Sequence, residues 1–526
     1  MVDAVDAWWE KAGGYAAEVL SAIAGNPGKR VLHYQGSSIT AAEYLRSVGG
    51  VYRALREAGA GRATVVAVLT APNSPEMIAV RHAAHLLGAA VCYLRSTNPG
   101  SNAAMLSTDD QLAILRAAGA TVLYADAEGS PRAARLAALA PVRFVGQGAA
   151  GAIAAAPTDD PGEVGPSGAE PTDPALIMFT SGSTGRPKGI RKSLRAWEGT
   201  VRTAIAPPPE ADQVVALFST PLSHTAGPMV DGALAVGGSV VLLAEFDAEQ
   251  VVRAVAEHGV TRTFMATTQL YRILDLLKER EQPSAAAAGI SGLRRLIYGG
   301  SSAAPGRIAA ALGVFGPILL QVYGTSESGR ITFLGPADHA DPRLAATVGR
   351  PFPEVDVEVR DPESDEALAD GRVGEILMRS PQLMDGYLDD ELTAYVLHEG
   401  WFRTGDIGYR DERGCLHLLD RVADVVKIAG TKIYPAVVER EMLAIPDVTQ
   451  AAVYGVRDDE GVEHLYAAIA CRPGAPVAAA TIRERIGAAF SPAHAPERVL
   501  VLDEVPVNAA GKADKPGLRR LGAAAG

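Results

Sequence analysis

The chain has 526 residues, of which 48% are hydrophobic and 21% charged, and a net charge of −12. This composition is ordinary for a globular protein of several folding units. The negative charge argues against a nucleic-acid partner, because phosphate backbones are bound by basic faces. Cys92, Cys415 and Cys471 are too far apart in sequence for a CxxC pair. With no signal pattern and no long apolar run, we expect a cytoplasmic protein without a membrane span.

Helices and short apolar strands alternate along the first part of the chain. An amphipathic helix with an internal glycine pair is predicted over 40–60, and a buried strand over 63–70. A helix over 75–89 and a strand over 90–95 repeat the pattern. This alternation predicts an α/β sheet with helices on its faces.

The segment 146–174 is rich in glycine, proline and alanine and is predicted to be a surface connection. The alternation then resumes, with strands predicted over 214–220, 239–245, 260–266 and 293–300. From about residue 346, shorter strands predict a β-rich subdomain, followed by a hairpin and a helix. We therefore predict a large N-terminal domain of packed α/β sheets plus a β-rich subdomain, residues 1–421, and a small mobile α+β C-terminal domain, residues 422–526.

The stretch FTSGSTGRPKGI, residues 179–190, contains three glycines, four hydroxyls and two basic side chains behind an apolar strand. Glycines let backbone N–H groups converge on an anion, and Lys188 adds a point charge suited to phosphate. The spacing of Gly182 to Lys188 is not that of a P-loop, and no GxGxxG pattern indicates a dinucleotide site. Composition alone therefore leaves two interpretations open, a solvated turn and a phosphate cradle.

The whole string resembles the signature loop of the adenylate-forming superfamily, which includes acyl- and aryl-CoA ligases, amino-acid adenylation domains and firefly luciferase. Further motifs follow in that family's order, namely YGTSE at 323–327, WFRTGD at 401–406, a hinge and hairpin over 421–439 and PVNAAGK at 506–512. The chain departs from the pattern at Ser326, where the family has Thr, and at Ala423, where it has Asp or Lys.

The resemblance implies a reaction in two steps. A carboxylate attacks the α-phosphate of ATP to give acyl-AMP and pyrophosphate, and a thiol, usually coenzyme A, then displaces AMP. ATP, Mg²⁺ and coenzyme A are the implied cofactors. Because two anions meet in the first step, the site has to neutralise charge.

The resemblance assigns the phosphate chemistry to a few side chains. Lys512 would bridge the carboxylate and the α-phosphate during adenylation. Ser326 would bond the α-phosphate, with Thr325 as a second candidate, and Glu327 would hold Mg²⁺. The other implied phosphate and adenine ligands are Thr180, Ser181, Gly182, Ser183, Thr184, Gly185, Lys188, Gly300, Ser301, Ser302 and Gly324.

Three further residues are assigned to the nucleoside by the same resemblance. Tyr323 would stack on adenine, Asp406 would accept hydrogen bonds from both ribose hydroxyls, and Arg421 would contact the ribose or phosphate edge. The small domain would rotate between the two steps about a hinge at position 423. The hinge and thiol-tunnel candidates are Ala423, Lys427 and Gly430.

The acid site is predicted from the stretch PLSHTAG, residues 221–227, which has no acidic residue to grip a substrate amine. It is similar to the PLxHxxG of acyl- and aryl-CoA ligases, so His224 would lie by the substrate carboxylate. Asp231 is a further candidate for an amine contact. The predicted acid-binding residues are His224, Gly227, Met229, Thr267, Thr268, Tyr298, Gly299 and Val322. Their small size suggests room for a sizeable, weakly polar acid, such as a fatty, aromatic or polycyclic acid of secondary metabolism.

The sequence therefore predicts an ATP-dependent carboxylic acid–CoA ligase. One alternative is an acyl-AMP ligase that loads a carrier protein. The other is a nucleotide-binding relative without turnover, against which the presence of Lys512, Asp406 and Glu327 argues. Luciferase-like oxygenation is a rare branch of the family, and a homodimer is an expectation at family level only.

Overall fold

The structure is a computed structural model that describes residues 7–98, 105–146, 152–180, 188–204, 213–282, 284–286, 288–301, 303–428, 430–458, 460–472, 474–506 and 513–524. The chain divides into two compact units. Unit 1 comprises Met1–Ala345, Pro351–Asp356 and Arg379–Phe402, and unit 2 comprises Ala346–Arg350, Val357–Met378 and Arg403–Gly526. Unit 2 thus takes in part of the β-rich segment expected in the N-terminal domain, and a mobile-domain boundary at 421–422 stays a prediction.

The described residues form alternating strands and helices. The strands are β1 (Arg30–Tyr34), β2 (Ser37–Thr40), β3 (Val65–Leu69), β4 (Ala90–Tyr93), β5 (Val122–Ala125), β6 (Arg143–Gly146), β7 (Pro174–Thr180), β8 (Lys188–Ser193), β9 (Val215–Phe218), β10 (Ser239–Leu242), β11 (Arg262–Ala266), β12 (Arg295–Gly299), β13 (Leu319–Thr325), β14 (Gly329–Leu334), β15 (Arg350–Pro351), β16 (Asp356–Arg360), β17 (Gly374–Arg379), β18 (Gly386–Tyr387), β19 (Leu397–His398), β20 (Trp401–Arg410), β21 (Leu416–Arg421), β22 (Val426–Ile428), β23 (Thr431–Ile433), β24 (Val448–Arg457), β25 (Glu463–Cys471) and β26 (Arg498–Leu502).

The helices are α1 (Gly14–Ala24), α2 (Ala41–Glu57), α3 (Pro75–Leu86), α4 (Thr108–Ala117), α5 (Ser130–Leu139), α6 (Leu194–Ala204), α7 (Ala226–Ala235), α8 (Ala248–His258), α9 (Thr267–Glu279), α10 (Pro305–Phe315), α11 (Pro342–Ala345), α12 (Asp390–Val396), α13 (Pro435–Leu443), α14 (Ala479–Ala489) and α15 (Lys515–Ala524). Among the residues that the structure describes, no helix combines the length and apolar character needed to span a membrane.

Two sheets organise unit 1. In sheet A the strand order is β14-β13-β12-β11-β9-β10-β1-β2, with β13 through β1 parallel in that order and β14 and β2 antiparallel to their neighbours. In sheet B the order is β18-β8-β7-β4-β3-β5-β6, with parallel pairs from β7 to β6. Strands such as β3 are buried along their whole length, as expected when helices cover both faces of a parallel sheet. The predicted α/β fold class is confirmed.

The glycine pair in α2 allows the backbone of the connecting segment to pack closely against the helix. The helix begins with a capping box in which Thr40 and Glu43 bond each other's backbone N–H groups. A Cβ atom on Gly49 would come within 2.7 Å of the carbonyl oxygen of Thr158, and one on Gly50 within 2.1 Å of that of Ala156. The connection predicted over 146–174 therefore packs on this helix where side chains are absent.

Unit 2 contains smaller sheets in which most strand pairs are antiparallel. Strand β20 pairs with β21, and β22 pairs with β23 as a hairpin. Strands β24, β25 and β26 form a third sheet, in which β25 and β26 are parallel. The helices α13 and α14 contribute to an apolar core with this sheet through buried residues that include Val438, Met442, Ile482 and Ile486.

Candidate active site

The carboxyl ends of parallel strands in sheet A carry most of the predicted acid pocket. Ala266, at the end of β11, is in register with Gly299, at the end of β12, and Gly299 is in register with Val322. The Thr267 hydroxyl, at the start of α9, donates to the carbonyl oxygens of Gly299 at 3.2 Å and Ser301 at 3.0 Å. Ligands of α/β sheets bind outside the carboxyl ends of strands, so this edge is the candidate binding site.

Tyr298 lies at the same edge but does not face an open site. Its side chain is buried, and its hydroxyl donates to Gln321 Oε1 at 3.2 Å and lies 3.0 Å from His339 Nε2. Burial raises the pKa of this phenol, which keeps it protonated. Thr268 and Gly300 are exposed at this edge. A substrate contact by Tyr298 stays a prediction.

The YGTSE motif forms the tight connection between β13 and β14. A Cβ atom on Gly324 would lie 2.0 Å from the carbonyl oxygen of Gly329, so only glycine fits there. The Thr325 and Ser328 hydroxyls lie 3.0 Å apart, and the Ser328 N–H donates to Thr325 Oγ1 at 3.1 Å. Because Thr325 is engaged in the turn itself, Ser326 is the better candidate for the α-phosphate contact.

Glu327, the predicted metal ligand, is held by the segment around β18. The Tyr387 hydroxyl donates to Glu327 Oε1 at 2.8 Å, and the Met384 N–H donates to the Glu327 carbonyl oxygen at 2.8 Å. Lys188 Nζ lies 5.9 Å from the centroid of the Tyr387 ring. The described residues contain no group of three or more His, Cys, Asp or Glu side chains placed to hold a metal. A single carboxylate fits Mg²⁺, which binds few protein ligands together with phosphate oxygens.

A buried lysine lies close to Glu327 and was missed by sequence reasoning. Lys192 lies in β8, and its ammonium donates to the carbonyl oxygen of Gln382 at 3.4 Å. Burial lowers the pKa of Lys192 to about 8, partly offset by the charges of Glu327 and Asp385. The only local signal is a lysine inside a strand that continues directly from the phosphate loop.

His224 is buried and neutral. Its Nδ1 lies 2.9 Å from Ser223 Oγ, whereas its Nε2 has no hydrogen-bond partner among the described residues. Burial lowers the pKa of His224 to about 4. The Gly227 N–H donates to the His224 carbonyl oxygen at 3.0 Å, and Met229 follows in α7, partly buried. A neutral imidazole whose Nε2 has no partner among the described residues can donate or accept one hydrogen bond with a substrate. It supplies no positive charge.

The expectation that Asp231 contacts a substrate amine is wrong. Asp231 is completely buried, and its carboxylate bonds Arg81 at 2.5 Å, His82 at 3.0 Å and Trp197 at 3.3 Å. Arg81 Nη2 also donates to the carbonyl oxygen of Gly227 at 3.3 Å. The Arg81 guanidinium holds the pKa of Asp231 well below its usual range despite burial. Asp231 therefore anchors α7 to the buried side chains around it.

In unit 2, the predicted ribose ligand Asp406 lies beside Arg421, which is predicted to contact the ribose or the phosphate edge. Asp406 in β20 is in register with Arg421 in β21, and Arg421 Nε lies 2.6 Å from Asp406 Oδ1. The Asp406 N–H donates to Thr404 Oγ1 at 3.1 Å, and the Thr404 hydroxyl donates to the carbonyl oxygen of Ile376 at 2.7 Å. The strand thus fixes the backbone on which the Asp406 carboxylate is presented.

The hinge candidates lie directly after β21 in the chain. Ala423 lies in a short 3₁₀ turn, Val422–Asp424, and Lys427 is exposed in β22. The Lys427 N–H donates to Glu463 Oε2 at 2.8 Å. Gly430 has a φ of +82° in the connection between β22 and β23, as expected for the glycine of a hairpin turn.

Several predicted ligands lie outside the described residues. Thr180, at the end of β7, is in register with Lys188, at the start of β8, so the two ends of the phosphate loop are adjacent. The residues outside the described part are Ser181, Gly182, Ser183, Thr184, Gly185, Ser302 and Lys512. Their roles, like those of the described nucleotide ligands, stay predictions.

Comparison with known proteins adds to this geometry. The AMP-binding enzyme family matches residues 20–388, and its C-terminal domain family matches residues 437–512. A medium/long-chain-fatty-acid–CoA ligase of Mycobacterium tuberculosis is 32% identical over 353 residues, 65% of this chain and 60% of that protein. The indoleacetate–CoA ligase of Aromatoleum aromaticum is 30% identical over 94% of this chain and 95% of that protein. Among solved structures, the amide bond synthetase McbA of Marinactinospora thermotolerans has a TM-score of 0.85 and 35% identity, covering 96% of this chain and 99% of that chain.

Proposed function

The chain belongs to the AMP-binding enzyme family, in its acyl- and aryl-CoA ligase branch, and from that premise we propose an ATP-dependent carboxylic acid–CoA ligase. The observation that supports this proposal is the position of three predicted acid-binding residues, Thr267, Gly299 and Val322, side by side at the carboxyl-end edge of β11, β12 and β13. Since the YGTSE motif begins within β13 and continues into the turn after it, acid and nucleotide groups come from the same edge of sheet A. The cytoplasmic location and the homodimer stay predictions.

In the first step, a carboxylate oxygen of the acid attacks the α-phosphorus of ATP, and the bond to the pyrophosphate oxygen breaks. His224 Nε2 orients the acid by a hydrogen bond, while Lys188 and Lys512 neutralise the phosphate charge. Glu327 would hold Mg²⁺, which offsets charge on the departing pyrophosphate. Asp406 would hold the ribose, and Arg421 would contact the ribose or the phosphate edge.

In the second step, the sulfur of coenzyme A attacks the acyl carbonyl carbon and the bond to AMP breaks. The thiol loses its proton and AMP leaves with the pair of electrons. We assign Ala423, Lys427 and Gly430 to the side from which the thiol approaches. The preferred acid is weakly polar, because Gly227, Gly299 and the Thr side chains at the edge supply no charge. The two glycines themselves are close-packed, since a Cβ atom on Gly227 would lie 2.4 Å from the carbonyl oxygen of Leu222 and one on Gly299 2.3 Å from that of Val322.

One comparison favours a second acceptor. The McbA amide bond synthetase shares 35% identity with almost the whole chain, a higher identity than the CoA ligases named above. In that alternative an amine nitrogen attacks the same acyl-AMP, loses a proton and forms an amide as AMP leaves. Asp231 is not available to bind the amine, because it is buried and paired with Arg81.

The test is acid-dependent pyrophosphate release from ATP and Mg²⁺ across fatty, aromatic and polycyclic acids. Each acid is assayed alone, with coenzyme A and with a panel of primary amines, and products are identified by mass spectrometry. Turnover with coenzyme A that collapses in Lys512→Ala supports the ligase, and turnover with amines alone supports the amide synthetase. Release limited to one turnover with both acceptors would point to a carrier protein. No release with any acid, despite ATP binding, would contradict the proposal.

A further inference from the structure

Asn73 is a completely buried polar residue in the connection between β3 and α3. Its backbone has a φ of +51°, a left-handed conformation that asparagine adopts more readily than most other residues. A buried amide that lacks hydrogen bonds is costly. The hydrogen bonds of the Asn73 side chain therefore indicate which parts of the fold this residue holds in place.

The Asn73 side chain ties three backbone positions together. Its Nδ2 donates to the carbonyl oxygens of Thr220 at 3.1 Å and Leu243 at 2.9 Å. Its Oδ1 accepts from the Leu222 N–H at 3.0 Å. Thr220 and Leu222 follow β9, and Leu243 follows β10, whereas Asn73 follows β3. One amide that follows a strand of sheet B thus joins the segments after two parallel strands of sheet A.

The segment that Asn73 anchors leads directly to His224. The His224 N–H donates to the carbonyl oxygen of Pro221 at 3.2 Å, and the Gly227 N–H donates to that of His224 at 3.0 Å. The bond between Leu222 and Asn73 fixes this turn two residues before the imidazole. Among the described residues the imidazole Nε2 has no hydrogen-bond partner. The backbone that carries this free nitrogen therefore depends on an anchor from a different sheet.

Resting on the ligase function proposed above, we propose that Asn73 is a positioning residue for the carboxylate of the acid substrate. It acts through His224, by holding the turn over 220–222 at the carboxyl ends of β9 and β10. Without the amide, two carbonyl oxygens and one N–H lose a buried partner, so the turn shifts to find others. The imidazole then meets the acid in a poorer geometry, and a displacement of about 1 Å can cost about 100-fold in rate. The predicted ATP ligands lie on other segments, so ATP binding is spared.

The main test is Asn73→Gly, because glycine keeps the left-handed backbone conformation and removes the amide. The control is Glu281→Gly, at an exposed residue of unit 1 whose φ is +53°. Both are assayed for pyrophosphate release with the acid on which the unmodified protein turns over fastest. We expect Asn73→Gly to lower kcat/KM for the acid about tenfold and to change KM for ATP less than about twofold. Glu281→Gly should change neither constant.

A double mutant separates positioning from general destabilisation. If Asn73 acts through His224, adding Asn73→Gly to His224→Ala should lower kcat/KM for the acid by less than about a further twofold. Multiplied losses, or equal changes in the constants for acid and ATP, would overturn the proposal. Asn73→Asp keeps an acceptor for Leu222, but its carboxylate lacks the two donors. It should show the same selective loss, and it provides the test if the glycine variant does not fold.

Amide hydrogen exchange tests the anchoring without catalysis. In Asn73→Gly the Leu222 N–H loses its acceptor, so we expect faster exchange there than in Glu281→Gly, with exchange in β24 and β25 unchanged. Equal exchange at Leu222 in the two variants would overturn the positioning role. If the unmodified protein releases no pyrophosphate with any acid, the ligase function is at fault. The exchange at Leu222 then still decides whether Asn73 holds the turn.

Discussion

The hydroxyl of Tyr387 donates a hydrogen bond of 2.8 Å to the carboxylate of Glu327, across 60 residues of sequence. Tyr387 lies in β18, which pairs with β8 directly after the phosphate loop. The proposed Mg²⁺ ligand is thus oriented by a strand attached to the proposed phosphate site. Hydrogen bonds of this kind fix a ligating carboxylate before the metal arrives.

Tyr387→Phe should weaken the response to Mg²⁺. Loss of the hydrogen bond leaves the Glu327 carboxylate able to rotate, and such outer partners contribute about 10-fold or more to metal affinity. The measurement is the Mg²⁺ concentration for half-maximal pyrophosphate release at fixed ATP. The control is Tyr395→Phe, at a residue that is 76% exposed. An unchanged Mg²⁺ dependence in Tyr387→Phe would exclude this role.

His224 should act without titrating near neutrality. Its folded pKa of about 4 lies below its usual 6.5, so its contribution to stability is complete above 6.5 and is lost as the pH falls through about 4. The pH profile of acid-dependent release should therefore show no inflection near 6.5 from this group. His224→Ala should lower kcat/KM for the acid about 10- to 100-fold, because one hydrogen bond to a charged group is lost.

The control for this prediction is the exposed His398→Ala. His224→Gln, which keeps a donor and an acceptor, should recover part of the loss. An inflection near pH 6.5 that disappears in His224→Ala would show that the imidazole is charged in the working enzyme, contrary to its buried position.

Asp231→Ala should destabilise the fold rather than change acid preference. The substitution leaves Arg81 buried without its carboxylate, which costs about 3–5 kcal/mol. Thermal unfolding is compared with Asp390→Ala, whose carboxylate is 92% exposed and lies 3.5 Å from Arg191. Exposed pairs contribute at most about 1 kcal/mol. Equal changes in Tm for the two variants would contradict the buried pairing.

Lys192→Met should raise Tm at pH 7 and lose this advantage at high pH. The folded pKa of Lys192, about 8, lies below its usual 10.5, so the unfolded chain binds the proton more tightly. The unmodified protein therefore becomes more stable as the pH rises from about 8 towards 10.5, and less stable as the pH falls through the same range. Lys192→Met has no such group, so its advantage in Tm disappears at high pH. The difference in Tm between the two proteins is measured from pH 7 to pH 10, with the exposed Lys278→Met as control. A difference independent of pH would contradict the prediction.

Local patterns predicted several elements of unit 1. The strand expected over 63–70 is observed as Val65–Leu69, and the helix expected over 40–60 as Ala41–Glu57. Buried parallel strands are continuous apolar runs, and in surface helices the apolar residues recur about every 3.6 residues. Both patterns can be recognised without knowing which elements pack against them. The glycine pair of α2 was visible too, but its reason, contact with 156–158, was not.

The candidate site was predictable to the extent that it lies in motifs. Glu327 and Asp406 are predicted as ligands from their neighbours in sequence, whereas the contacts of Tyr387 and Lys192 correspond to no motif. Asp231 was misread for the same reason. Its partner Arg81 is 150 residues away, so no neighbouring residue in sequence reveals the ion pair.

The sequence by itself determined the family, the order of the motifs and the alternation of helices and strands. Each of these depends on residues that are close together in the sequence. The tertiary structure decided which charged groups are buried, what pairs with them and which remain available for a substrate. The physical reason is that desolvation and ion pairing depend on groups brought together from distant parts of the chain. Asp231 and Glu327 are both acidic side chains, and only their surroundings separate a structural anchor from a proposed metal ligand.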